Sequence, residues 1–469
     1  MDRGARPPSS IFLPSSLMRL SSFPAALALG LGLLLGCRQA PPNGLALVGA
    51  TLIDGTGGPA LVDAAIVVRE GRIESVGTRA GFELPARTTE VDVRGRWIIP
   101  GLVDAHAHVA EWALPRYLAW GVTTVRDVHG SLDSILALRA RVNDGAVPGP
   151  RIYSAGAMID GLPTTYSDAL GANRAPDARK AVDRLVNAGA DYIKIYTRVD
   201  RVMLNAVLDE ARTFNLKVSA HLGLTDAITA ARGGVSSIEH LTGVPEAALP
   251  DPSSLVAAHY RSFFGGWTAF EKSWAGLDSA ALTRVAKALA GTKVTLVPTL
   301  VLHETFSRLD DSTVLADAGL KAVPELERRR WNVPEMITRA GWSAADFAAF
   351  RRSRPMQDFF LRKFHAAGGR IAAGTDASNQ LLVPGYSQHR ELELLVAAGI
   401  SPLNALLAAT RSGALLLGVD SLGLLAPGKV ADLVVLTRNP LNNIRNSLAI
   451  DRVMSRGRLL WPDSIRASW

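Results

Sequence analysis

One stretch constrains this chain more than any other: Ile98-Ile99-Pro100-Gly101-Leu102-Val103-Asp104-Ala105-His106-Ala107-His108. It begins as the kind of apolar run that is buried on both faces of a parallel sheet, and it ends in two histidines. Residues i and i+2 of a strand point to one face, so His106 and His108 project together. Two imidazoles at the end of a buried strand can chelate zinc or a neighbouring first-row metal. Two histidines so spaced also occur as ordinary surface residues, and two ligands do not complete a site. The remaining ligands must come from elsewhere in the chain.

The middle of the chain alternates strand-like and helix-like patterns, the signature of parallel βα units. Strands are expected at 99–105, 122–128, 151–158, 192–196, 217–222, 236–240, 293–302 and 370–376, with helices such as 177–188, 201–213 and 226–231 between them. Eight such units predict an α/β fold, a (β/α)8 TIM barrel over 99–420, whose active site gathers at the C-terminal strand ends. The helical segment of about 303–365, with Trp331 and Trp342, is too long for one connection and is expected to form a lid over the mouth. Short strands separated by Gly- and Asp-containing turns flank the middle at 45–98 and 421–469. They predict a small β-sandwich built from both chain ends.

The expected strand ends carry chemistry. Lys194 shares a face with Tyr192 and Tyr196 on the fourth strand, His221 ends the fifth, His240 the sixth and Asp376 the eighth. Taken singly, each has an ordinary reading: a snorkelling lysine, a hydrogen-bonded core histidine, a helix-capping aspartate. Their convergence on one end of a barrel, after the histidine pair of the first strand, favours a site. Glu239, one residue from His240, should point the opposite way and is read as structural. His129, His303 and His389 follow the second, seventh and eighth strands and are candidates to face substrate, as is Tyr196; His259 and His365 have no motif around them.

With these residues in place the chain resembles the amidohydrolase superfamily over nearly all of residues 45–460. The resemblance rests on Pro100–His108, Gly121-Val122-Thr123-Thr124-Val125-Arg126-Asp127, Tyr192-Ile193-Lys194, Ser237-Ile238-Glu239-His240, Gly374-Thr375-Asp376 and Gly428-Lys429-Val430-Ala431-Asp432-Leu433. The imidazolonepropionase-like and prolidase-like branch is the nearest in pattern. The resemblance implies two divalent metal ions, zinc foremost. His106, His108 and Asp376 would hold one, His221 and His240 the other, and a carboxylated Lys194 would bridge them. A metal-bridging hydroxide would then attack an amide-type C–N bond in a dipeptide, N-acyl amino acid or cyclic amide, with Asp376 moving the proton to the leaving nitrogen. Dipeptidases of this branch often carry Gly-Gly-His after the third strand and a Tyr two residues past the fifth-strand His. Here those places hold Met158-Ile159-Asp160-Gly161-Leu162-Pro163 and Gly223, so the family pattern alone does not assign a dipeptidase. The alternatives are a one-metal cyclic-amide hydrolase or deaminase with Lys194 unmodified, and a metal-binding lipoprotein without turnover.

The first 37 residues read as a targeting segment. The apolar run Pro24–Gly36 is signal-like in length, and Leu34-Leu35-Gly36-Cys37 looks like a bacterial lipobox, with Cys37 the lipidated residue. Cys37 is the only cysteine, so no internal disulfide forms. Met18-Arg19-Leu20 would open a conventional signal, which makes Met18 an alternative start. Residues 38–44 follow as a linker. The expected location is the bacterial cell envelope, lipid-anchored on the exported side. The targeting segment accounts for +2 of the +8 formal charge, and the remaining +6 is spread along the chain, which argues against a nucleic-acid partner. A small-molecule substrate is expected instead, and oligomerisation is left open.

Overall fold

The computed structural model describes residues 43–469. The signal segment, Cys37 and most of the 38–44 linker lie outside the described residues. The stretch from Ile98 to His108 is two strands, Trp97–Pro100 and Leu102–Ala107, and they belong to different sheets. The division falls at Gly101, where a Cβ would stand 2.2 Å from Thr123 Oγ1, so only glycine fits the crossing. Trp97–Pro100 runs antiparallel to Leu433–Leu436 and parallel to the end of Gly44–Leu52. Both ends of the chain thereby join one sheet of eight strands among the described residues. The expected sandwich is thus a single hydrogen-bonded sheet. Its apolar side chains from both chain ends, Leu47, Ile66, Ile73, Leu433, Val435 and Met454, share one buried cluster.

The parallel strands follow in chain order. Leu102–Ala107, Val122–Asp127 and Arg151–Ser154 form a three-stranded sheet. Ile193–Ile195, Val218–Ala220, Ser237–Glu239, Thr295–Val297 and Arg370–Ile371 lie successively in a seven-stranded sheet. That sheet also holds Ile159–Gly161 and Leu170–Ala172, two short strands the sequence pattern does not announce. Backbone hydrogen bonds span both gaps between the sheets: Asp191 N–H donates to Ser154 O (2.9 Å) and Ala105 N–H to Ala373 O (2.9 Å). The intervening helices form where the sequence marks them. Ala175–Ala188 buries Ala178, Val182 and Leu185 at helical spacing and ends at Gly189 (φ 84°). Arg201–Thr213 starts under Asp200, whose side chain accepts from Met203 N–H (2.8 Å).

The segment expected at 293–302 as one strand is shorter and changes type. Only Thr295–Val297 pairs; Thr299 turns the chain (φ 47°) and the helix Leu300–Ser307 begins. His303 therefore sits in a helix, not at a strand end. Past it, 312–340 is a set of short helices, whereas Ala344–Ala366 is a framework helix with Phe360, Leu361 and Phe364 fully buried. Trp342 is a core residue of this junction. Its ring packs edge-on against Phe264 (5.7 Å) and Phe350 (5.6 Å), and its Nε1 donates to Thr268 Oγ1 (2.8 Å). Trp331 ties the short helices to the loop after Asp376 through Nε1–H to Ser378 O (3.2 Å). A second insertion, not foreseen, lies between Ser237–Glu239 and Thr295–Val297 and includes the helices Ser253–Arg261 and Phe263–Ser273. No helix among the described residues is long and apolar enough to cross a membrane.

Candidate active site

His106 and His108 do project together from the end of Leu102–Ala107, and both reach Asp376. His106 Nε2 is 3.0 Å and His108 Nε2 3.1 Å from Asp376 Oδ1. His106, His240 and Asp376 each offer a ligand atom within 4.8 Å of the others. The His240 ring lies 4.4 Å from that of His106 and 4.9 Å from that of His221. Lys194 is buried beside them, and its Nζ has no hydrogen-bond partner among the described residues. These side chains, with His129 and Tyr196, line one cavity of about 460 Å³.

Local backbone geometry explains the convergence. Asp376 (φ 62°) turns back on the first strand, its N–H donating to His106 O (2.8 Å). Asp104 fastens the same two segments by accepting from Thr375 Oγ1 (2.6 Å) and from His106 N–H (3.2 Å). Burial pushes the Asp104 carboxyl up to about 7. His240 and Leu241 both have positive φ (57° and 59°), so strand alternation stops at Glu239. Glu239 consequently faces the interior with His240, contrary to the expectation that it points away. Its Oε2 lies 2.6 Å from His106 Nδ1, and its Oε1 accepts from Arg126 Nη2 (2.5 Å), Ser219 Oγ (2.6 Å) and Ser237 Oγ (2.6 Å).

The outer contacts of the imidazoles decide what their inner nitrogens can do. His106 Nδ1 faces Glu239, His108 Nδ1 faces the His129 carbonyl (3.1 Å) and His240 Nδ1 faces Thr299 Oγ1 (2.6 Å). Carboxylate and carbonyl acceptors hold the proton on Nδ1 and leave the Nε2 lone pair free, the usual support for a metal-binding histidine. His221 instead has a buried Nδ1 without a partner among the described residues. An orphaned imidazole nitrogen, an orphaned lysine nitrogen and a shared carboxylate in one buried cluster fit a cation better than they fit one another. Burial holds the His221 and His240 imidazoles well below their ordinary range, so they are neutral lone-pair donors at pH 7. Burial alone would raise Asp376, but the His106 and His108 imidazoles set against its Oδ1 outweigh that and hold it well below the usual carboxylate range. Burial brings Lys194 down to about 8.

Two sequence candidates do not reach this cavity. His389 lies in the helix Tyr386–Ala397 with both nitrogens engaged, Nδ1 at Ser447 Oγ (2.8 Å) and Nε2 at the Trp120 carbonyl (2.9 Å). His303 lies behind Trp267, stacked on it at 5.4 Å, with Nδ1 2.5 Å from Glu271 Oε1. Both histidines were placed by proximity to a strand end, and helix phase turns them away. His129 and Tyr196 do line the cavity. His129 Nδ1 accepts from Met158 N–H (3.2 Å), so its Nε2 carries the proton toward Asp168 Oδ1 (3.1 Å). The sequence reading missed Tyr166, Phe263 and Trp267, which also line it. The aromatic run Phe263-Phe264-x-x-Trp267 was the available signal, and nothing in its spacing distinguished it from a core helix.

Parallel strands in chain order, ligand-type side chains at their C-terminal ends and an added β domain define a TIM-barrel-like α/β enzyme fold. The chain belongs to the amidohydrolase family, whose model matches residues 97–460, and with it to hydrolases that use divalent metals on carbon–nitrogen bonds. It is similar to an imidazolonepropionase of Deinococcus deserti, 23% identical over 84% of this chain and 90% of that protein. It is likewise 24% identical to an ochratoxinase of Aspergillus niger, over 87% of this chain and 85% of the relative. Among solved structures, a Xaa-Pro dipeptidase with methionine bound in its active site shares the fold. It superposes with a TM-score of 0.66 at 21% identity, over 89% of this chain and 100% of that one.

Proposed function

We propose that this protein cleaves an amide-type C–N bond of a dipeptide, N-acyl amino acid or cyclic amide at a binuclear centre inside a closed (β/α)8 barrel. In this reading His106, His108 and Asp376 hold one divalent ion, His221 and His240 hold a second, and Lys194, carboxylated on Nζ, lies between them. A set of imidazoles and carboxylates suits zinc. The observation that carries the reading is the engagement of Nδ1 on His106, His108 and His240 by outer partners, which turns the three Nε2 atoms inward, those of His106 and His108 beside Asp376 Oδ1. Ions held there would polarise the scissile carbonyl and lower the pKa of a water to about 7. The chain does the rest. Asp376, ionised at neutral pH, takes a proton from the attacking water and returns it to the leaving nitrogen. Asn379 Nδ2 donates to its Oδ2 (2.8 Å) and fixes the carboxylate plane during that transfer. Tyr196 and His129 flank the substrate on either side of the cluster.

A second reading has its own support, because His106, His240 and Asp376 by themselves form a compact three-ligand set. It gives one metal, an unmodified Lys194, and a cyclic-amide hydrolase or deaminase. Metal analysis of the purified protein, paired with a panel of dipeptides, N-acyl amino acids and cyclic amides, separates the two. About two ions per chain and chelator-sensitive amide hydrolysis are expected. One ion per chain with cyclic-amide turnover would replace the first reading by the second, and metal without any turnover would leave a binding lipoprotein.

The location is proposed from the sequence alone. We infer that Cys37 is lipidated and anchors the protein to a bacterial membrane from the exported side. Cys37→Ser is expected to move the protein from the membrane to the soluble fraction and to abolish labelling by a fatty-acid probe. Unchanged fractionation and labelling would overturn this. A chain started at Met18 should be exported equally well.

A further inference from the structure

We infer that the substrate joins an aromatic group to a carboxylate, the ring lying on a wall made by Phe263 and Trp267 and the carboxylate meeting Arg339; this rests on the hydrolase reading and narrows it. The wall comes from the unforeseen insertion. Phe263 and Trp267 are four residues apart on the helix Phe263–Ser273 and so share a face. Trp267 lies 6.3 Å from the His221 ring and 6.2 Å from the His240 ring, and Phe263 lies 6.2 Å from His221. Phe263 also stacks on Tyr196 (6.0 Å, 22°). A bond presented to the two imidazoles therefore has aromatic faces directly beside it.

The wall is rigid. His303, held by Glu271, backs Trp267 in a near-parallel stack of 19°. Trp267 is buried and Phe263 half-buried, so the open part of the wall is mainly that of Phe263, which an aromatic ring would cover and a small polar dipeptide would leave wet. A cavity of about 460 Å³ falls within the range of sites that enclose drug-sized ligands. Gly223, by contrast, offers nothing to the substrate. A Cβ there would meet Thr197 Cγ2 at 2.5 Å and Thr197 O at 2.6 Å, so no side chain fits at this place.

An anion-binding group must then come from the rim. Two arginines of the short-helix insertion line the cavity, Arg330 and Arg339. Arg330 is committed to Glu327 (2.8 Å). The acid on the same rim, Glu335, accepts from Asn332 Nδ2 (2.8 Å). Arg339 makes no ion pair or side-chain hydrogen bond among the described residues, which leaves its planar fork for a carboxylate. At a fully exposed site the pair would be worth little. Arg339 is itself exposed on the rim, so its pairing with a carboxylate is expected to bring a several-fold gain in affinity through the bidentate fit of its fork.

Hydrolysis-inert probes keep this test independent of turnover. N-Arylsulfonyl amino acids, their carboxamides and N-methylsulfonyl amino acids are titrated by calorimetry into the metal-loaded protein, its Arg339→Gln variant and its Phe263→Ala variant. The aryl carboxylate is expected to bind several-fold more tightly than either the carboxamide or the methylsulfonyl compound. Arg339→Gln should erase the preference for carboxylate over carboxamide while keeping that for aryl over methyl, and Phe263→Ala should do the reverse. Equal affinities for carboxylate and carboxamide, equal losses for both on Arg339→Gln, or no binding of the aryl carboxylate overturns the inference. The corresponding aryl amides are then offered as substrates. Tight binding without their hydrolysis would count against the hydrolase reading and leave the substrate-class inference standing.

Discussion

Glu239→Gln is expected to strip metal from the site and to destabilise the fold, although strand alternation points Glu239 away from the site and gives it a structural reading. Its carboxylate accepts from His106 Nδ1 on one oxygen and from Arg126, Ser219 and Ser237 on the other. A glutamine must use its single carbonyl oxygen for the Arg126 side, and its amide then presents N–H groups to His106. The His106 proton is forced from Nδ1 to Nε2, the nitrogen that faces Asp376, and the lone pair a metal needs is lost. Loss of such an outer carboxylate typically costs about 10–100-fold in metal affinity. Separately, Arg126 is left as an uncompensated buried charge, at a cost of about 3–5 kcal/mol. Burial favours the neutral acid, but the Arg126 charge and His106 hold the Glu239 carboxyl well below its ordinary 4.5. Its contribution is therefore complete at neutral pH and lost only as pH falls through its folded-state pKa, so pH 7 is the place to measure. Chemical denaturation and metal titration read the two effects apart. Arg126→Met added to Glu239→Gln should recover stability without recovering metal. Metal affinity of Glu239→Gln equal to that of the parent protein would show that His106 is not a ligand through Nε2.

How far the sequence carried the site depends on how each residue is held. His106, His108, His221 and Asp376 stood out in the sequence because each follows an apolar stretch at a strand's mouth, and Lys194 because it is a lone charge between Ile193 and Ile195. Glu239 was misread because period-2 alternation holds only while the backbone stays extended, and His240 is left-handed. No residue type at 240 or 241 announces that turn. His303 and His389 were placed by chain distance from a strand. Helix phase decides such positions, and in both cases it points the ring at a buried partner. The strands at both ends of the chain were visible, but not that they join one sheet, nor the crossing at Gly101, because the need for glycine there arises from Thr123 on another strand. The aromatic wall was the largest omission. Phe263 and Trp267 look like any core helix until the tertiary fold lays that helix beside His221 and His240.

Lys194→Ala is expected to remove one of two metal ions and to lower turnover by orders of magnitude. Lys194 is flanked by Ile193 and Ile195 in a fully buried strand, and its Nζ finds no partner among the described residues. Glu239 and Asp376 pull its charge state up, yet burial dominates and brings it down to about 8. An appreciable fraction of Nζ is then a neutral amine near pH 7, able to attack carbon dioxide. The new N–C bond would yield a carbamate; one proton leaves when the ammonium becomes the amine and a second when the amine takes up carbon dioxide, so a buried cation would become an anion with two oxygens. That reverses the local electrostatics, since an anion between two cations stabilises the pair that an ammonium would repel. Removing it should leave the His106, His108 and Asp376 ion in place and cost the His221 and His240 ion its third ligand. Short carboxylic acids should partly restore both the second ion and turnover in Lys194→Ala, because a carboxylate has the carbamate's shape and charge. They should not do so in Lys194→Arg, where a permanent cation fills the space. Metal stoichiometry, turnover with and without acetate, and the mass of the intact chain under carbon dioxide together make the test. If Lys194→Ala keeps full activity with one ion per chain, the bridge does not exist and the three-ligand set of His106, His240 and Asp376 is the working centre.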